Sequence, residues 1–291
     1  MAQTQDAWCI TAQSLRNGHA LSYAEQPYFR YLIEQIQAAD RDLLIILGSA
    51  PSTDAGYPSP QDMARTLLSE VLPSKFTTTF DGLHGDNPVN SLHCLTSRLQ
   101  GAAPKENLRK AIYGESPGST EGLLSKAIAR LALAYPRRCR IATTALTNVV
   151  EVACGQVLGN GQVGRSMGLA DADEWLIFDP GELQAPPVMH LQGLVHPDGS
   201  LTGPLMLNPA DRLMSGTETT RLLKRAISTS LTLVVGASAE NAVIMAGLAA
   251  AGGSDCPRYM ALTPHLESPD GEDASQYAVW EAQRLRETLD V

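Results

Sequence analysis

The sequence predicts an α/β fold: a mostly parallel sheet flanked by helices, with a smaller helical or irregular insertion. Three observations carry the prediction. Leu43-Leu44-Ile45-Ile46-Leu47 is a continuous apolar run closed by Gly48, the pattern of a strand buried on both faces beneath helices. Later apolar runs alternate with segments whose apolar residues recur at helical spacing, as βα units do. Gly, Pro, Asn and Asp punctuate the joins between them.

The elements follow in order. Tyr23 to Ala38 places Tyr28, Leu32, Ile33 and Ile36 on one helical face. After the Leu43–Leu47 strand and a loop of small residues, Asp62 to Leu72 reads as a helix, and residues 73 to 135 hold the insertion. Ser119 or Thr120 can cap a helix ending near Ala134, where Pro136 closes it. Arg140 to Thr144 is a short strand and Leu146 to Val157 a helix; Trp175 to Phe178 and Val188 to Leu191 are strand candidates. Pro197-Asp198-Gly199 marks a hairpin between Leu194-Val195 and Leu201-Thr202. Thr217 to Ile227 is a helix, Leu231 to Val235 a strand, Asn241 to Ala251 a helix, Tyr259 to Thr263 a strand and Ala274 to Leu289 a closing helix.

Composition narrows the function classes. The chain has 291 residues, 22 basic and 31 acidic, for a formal charge of −9. With a pI near 5.1, it lacks the basic face that nucleic-acid binding needs. Cys9, Cys94, Cys139, Cys154 and Cys256 are odd in number and widely spaced, which provides neither a disulfide framework nor a four-cysteine zinc site. His84, His93 and Cys94 match no common metal-ligand spacing. Trp8, Trp175 and Trp280 are too scattered for a stacking platform. The apolar stretch Leu231 to Gly253 contains Ser238, Glu240 and Asn241, so it reads as strand, turn and helix rather than a membrane span. Met1 to Ile10 carry Asp6 and no basic stretch before an apolar run, and a cytoplasmic location is expected.

The sharpest local signal is the loop Gly48-Ser49-Ala50-Pro51-Ser52-Thr53-Asp54-Ala55-Gly56-Tyr57-Pro58, between a buried strand and a helix. Small residues there let backbone amides approach a pyrophosphate. This stretch resembles the first nucleotide-binding loop of sirtuins and SIR2-like proteins, with Gly48, Ser52, Gly56 and Pro58 in register and Ala50 in place of the second glycine. Three more segments follow in that family's order. Ile141-Ala142-Thr143-Thr144-Ala145-Leu146-Thr147-Asn148, with Glu151, is similar to the T-[TQ]-N-x-D loop. Met189-His190-Leu191-Gln192-Gly193 is similar to the L-H-G segment, and Val234 to Asn241 resembles the late loop that faces ribose and adenine.

The resemblance spans Leu43 to the C-terminus and implies a Rossmann-like NAD-binding domain over 41–291, with residues 1–40 as a helical extension. It implies NAD⁺ as substrate or ligand, held by Gly48, Ser49, Ala50, Ser52, Gly56, Thr143, Thr144, Gly236, Ser238, Glu240 and Asn241. The missing zinc cysteines place the chain nearer the bacterial SIR2-like branch, associated with cleavage of NAD⁺ to nicotinamide and ADP-ribose in anti-phage defence, than the deacylases. Such chemistry passes through an oxocarbenium-like ribose, positioned by an asparagine and served by a histidine base. Here the asparagine position reads Ala145 and the histidine position reads Gln192, so the chain is expected to cleave NAD⁺ poorly or to trap it uncleaved. Two readings of His190 stand: a base shifted by two residues, or a hydrogen-bonded core histidine. Asn148 likewise reads as a shifted catalytic amide or as a polar residue at a helix start. The alternative function is an inactive NAD⁺ or ADP-ribose sensor or subunit. Either function predicts a homo-oligomer or a separate sensor protein as partner, through the Tyr23 to Ala38 helix, and neither predicts nucleic acid or membrane.

Overall fold

A computed structural model of the chain describes residues 29–38, 40–71, 105–114, 122–159, 163–178, 185–206, 209–237 and 241–261. The expectations for Ser238, Glu240, His84, His93, Cys94, Trp8, Trp280, Ser119, Thr120 and the closing helix lie outside these residues.

The elements run α1 (Phe29–Ala38), β1 (Asp42–Leu47), α2 (Ala50–Asp54), α3 (Pro60–Val71), α4 (Lys105–Tyr113) and α5 (Leu123–Ala134). Then come β2 (Cys139–Thr143), α6 (Val149–Leu158), β3 (Ser166–Met167), α7 (Ala172–Ile177), β4 (Val188–His190), β5 (Leu194–Val195) and β6 (Leu201–Thr202). The last are α8 (Pro209–Ile227), β7 (Ser230–Val235), α9 (Ala242–Ala250) and β8 (Arg258–Ala261). Six strands form one parallel sheet in the order β3-β4-β2-β1-β7-β8, the Rossmann-like α/β architecture expected; β5 and β6 pair apart as the antiparallel hairpin.

The apolar run of β1 explains why the sheet is buried on both sides. Leu43, Ile45 and Leu47 pack with Ile128 and Ala129 of α5 and Val150 of α6. Leu44 and Ile46 point the other way, against Leu223 and Ile227 of α8 and Ile244 and Leu248 of α9. Alternation along one strand thus fills two cores, each fully buried side chain contributing roughly 1.5–3 kcal/mol relative to exposure.

One expectation needs correction. Trp175 to Phe178 is no strand: Trp175 belongs to α7 and is fully buried in the second core. The Asp171 carboxylate accepts the Gly168 N–H at 2.9 Å, and Asp173 and Glu174 occupy the first turn, where the helix dipole favours acids. Helix α5 starts after Gly122, and its cap comes from far away, the Asp54 carboxylate accepting the Leu124 N–H at 2.7 Å.

Candidate functional site at the switch point of the sheet

Strand order reverses at β1, with β2 on one side and β7 on the other. The loops leaving the carboxyl ends of these strands therefore meet where doubly wound sheets take their ligands. Gly48 ends β1 and Gly236 ends β7. The Gly48 N–H donates to Val235 O at 3.0 Å, and the Ala50 N–H to Gly236 O at 3.2 Å. Gly236 has φ +64°, a conformation that favours glycine, and a Cβ there would lie 2.6 Å from Ala50 Cβ.

This packing changes the meaning of the small-residue loop. Besides Gly48 and Ala50, the Ser52 and Thr53 N–H groups both donate to Ser49 O, at 3.0 and 3.1 Å. Pro51 has no N–H to offer. Four amides that the sequence offers to a pyrophosphate are thus engaged by backbone carbonyls. Close approach of two loops, not of a phosphate, accounts for Gly48. Gly56 serves another turn, at φ +84° after α2.

The loop after β2 joins the same unit. The Thr144 N–H donates to Leu47 O at 3.0 Å, and Thr143 Oγ1 accepts the Ala145 N–H at 3.0 Å. Asn241 caps α9 by accepting the Ile244 N–H at 3.3 Å, while its Nδ2 donates to Thr144 Oγ1 at 3.0 Å. Ser52 and Thr147 share a buried hydroxyl–hydroxyl bond of 2.6 Å. Sequence reading gave Thr147 no role and passed over Tyr113. The buried Tyr113 hydroxyl donates to Val195 O at 2.5 Å and lies 3.4 Å from Asn148 Oδ1; burial pushes its pKa well above the ordinary range. Asn148 opens α6 without capping it through its side chain.

Ala145 and Gln192 are both buried, Ala145 beside this network and Gln192 in the turn after β4. Strand alternation does not relate His190 to Gln192, because β4 ends at His190 and Gly193, at φ +82°, turns the chain. His190 is fully buried, with both ring nitrogens engaged. Nδ1 is 3.2 Å from Ala145 O, and Nε2 is 2.7 Å from Oε1 of Glu151, itself fully buried. Ser166 Oγ donates to the same Oε1 at 2.5 Å, and Glu151 Oε2 has no hydrogen-bond partner. Among the described residues no group of three His, Cys, Asp or Glu side chains is placed to hold a metal ion.

A surface depression lined by Arg41, Lys224, Ser228 and Cys256 lies at the opposite, amino-terminal end of the strands. Among the described residues, no helix is long and apolar enough to cross a membrane. No protein-family model matches the sequence, and no curated protein matches it either.

Proposed function

We propose that the chain is a SIR2-like protein that binds NAD⁺ or ADP-ribose at the switch point and cleaves NAD⁺ slowly or not at all. One observation carries the reading: three strand-end loops are tied into one unit by Gly48 against Gly236, Ser52 with Thr147, and Thr144 with Asn241. Ser49, Ala50, Gly236 and Ala237 are partly exposed along that seam, which presents small residues to a nucleotide. The resemblance to the SIR2-like branch supplies the substrate class and the role, hydrolysis of NAD⁺ in anti-phage defence within the cytoplasm.

In this reaction the bond between nicotinamide and ribose breaks, water adds to the ribose carbon, and nicotinamide leaves. The Ala145 methyl cannot order that water, and the Gln192 amide cannot take a proton. The engagement of both His190 nitrogens favours the second reading, a nucleotide sensor or inactive subunit of a larger assembly. In that assembly α1 is the proposed contact with a second copy or a sensor protein; its Tyr31 is about half exposed and stacks obliquely near Tyr259. The deciding experiment mixes the purified chain with NAD⁺ and follows heat of binding and nicotinamide release together. Binding with little release is expected. Absence of binding for both NAD⁺ and ADP-ribose overturns the proposal.

A further inference from the structure

We propose that His190 and Glu151 are positioning residues that set the backbone at Ala145, and with it the loop after β2. Only the ligand named in the second test rests on the nucleotide reading above. Both side chains are fully buried, and hydrogen bonding rather than packing explains their chemistry. A carbonyl oxygen can only accept, so the ring nitrogen 3.2 Å from Ala145 O carries a hydrogen. Nε2 and Oε1, 2.7 Å apart, then share one further proton, whichever atom holds it, since two bare acceptors would repel at that distance.

Ser166 of β3 fixes Oε1 at 2.5 Å while α6 carries the Glu151 backbone. The imidazole is thereby held at its far end and delivers its near N–H to one backbone carbonyl. The neighbouring amides have anchors of their own, Thr144 N–H on Leu47 O and Ala145 N–H on Thr143 Oγ1. His190 supplies the anchor for the Ala145–Leu146 peptide. Because that peptide is planar and trans, drawing its carbonyl toward His190 turns the Leu146 N–H to the opposite side. A general base needs an unoccupied lone pair aimed at its proton, and His190 has none. Its role is to hold the loop.

The test begins with ligand-free protein. In hydrogen–deuterium exchange, His190→Leu should raise exchange at Thr144 to Asn148 about tenfold while peptides of β1 and β7 keep their protection. His190→Asn places an amide N–H the same number of bonds from the backbone as Nδ1, and should restore protection to within about threefold. Unchanged exchange at 144–148, or a rise spread evenly over the sheet, overturns the proposal. Should His190→Leu fail to fold, Ser166→Ala removes one bond to Oε1 and should raise exchange at 144–148 about threefold; an unchanged loop again overturns it. Calorimetry with ADP-ribose then reads the coupling to the site: His190→Leu should weaken binding about tenfold and His190→Asn restore it. Equal affinity in both variants and wild type refutes that coupling. If wild type itself binds no ADP-ribose, the nucleotide reading fails, and the exchange data alone decide the positioning role.

Discussion

The Cβ that Gly48 lacks would stand 2.1 Å from the carbonyl oxygen of Gly236. No relaxed contact of a real Cβ is that short, and the obstructing atom is backbone, which cannot swing aside. The seam between β1 and β7 is thus closed by the absence of a side chain. A substitution at Gly48 acts on the fold before it acts on any ligand.

Gly48→Ala should therefore destabilise by more than Gly56→Ala. Overpacking costs about 1–3 kcal/mol and more where backbone must move, whereas Gly56 has open space around its Cβ position and suffers only the roughly 1–2 kcal/mol of a left-handed conformation. Urea midpoints of the two variants give the order directly. Equal midpoints would mean that the loops do not meet as described.

The Ser52–Thr147 bond should register as coupling between the first and second loops. Each of Ser52→Ala and Thr147→Val leaves a buried hydroxyl without its 2.6 Å partner, at about 1–3 kcal/mol, while the double variant should cost less than the sum. A double-mutant cycle on unfolding free energy should give an interaction of about 1 kcal/mol. Strict additivity would remove the bond from the account of how the loops are joined.

Placing the residues of the SIR2-like motifs at positions 145 and 192 should raise nicotinamide release if the proposed activity is right. Ala145→Asn with Gln192→His supplies a water-ordering amide and a base, and general base catalysis contributes typically ~10²–10⁴ in rate. Chromatography of nicotinamide after incubation with NAD⁺ provides the reading. A double variant no faster than the chain as it stands, although it binds NAD⁺, would place the chemistry elsewhere.

Thiol reactivity should sort the described cysteines by burial. Desolvation pushes Cys154 up to about 12, and the same cause raises Cys139, so both are protonated far above neutral pH in the folded state. At pH 8 roughly one Cys154 in ten thousand is thiolate, and only the thiolate attacks. Alkylation mapped by mass spectrometry should find both inert until urea unfolds the chain, with the half-buried Cys256 modified before either. Rapid native labelling of Cys154 would contradict its placement in the first core.

Sequence pattern alone reached the parallel sheet, the hairpin at Pro197-Asp198-Gly199, and the strands and helices around Leu47, Val235 and Ala242. Those features rest on neighbours a few positions apart: an apolar run, a helical period, a turn dipeptide. It failed at Trp175, where an aromatic run looks like a strand until Asp171 is seen starting a helix. It also passed over β3, whose two residues are too short to carry any period.

The candidate site divides in the same way. Gly48, Thr144, His190 and Asn241 stood out because each closes a strand or opens a helix in an ordered series of motifs. Which of them meets which did not. Glu151 lies 39 residues from His190, Thr147 lies 95 from Ser52, and Asn241 lies 97 from Thr144. The sequence by itself determined the strands β1, β2 and β7, and that their ends would be rich in small and polar residues. Only the tertiary structure decided that Gly48 meets Gly236, that the loop amides turn to carbonyls, and that His190 bridges Ala145 O and the Glu151 carboxylate. Local periodicity encodes which face of an element is buried, whereas hydrogen bonds between distant loops depend on strand order and register, which no local pattern specifies.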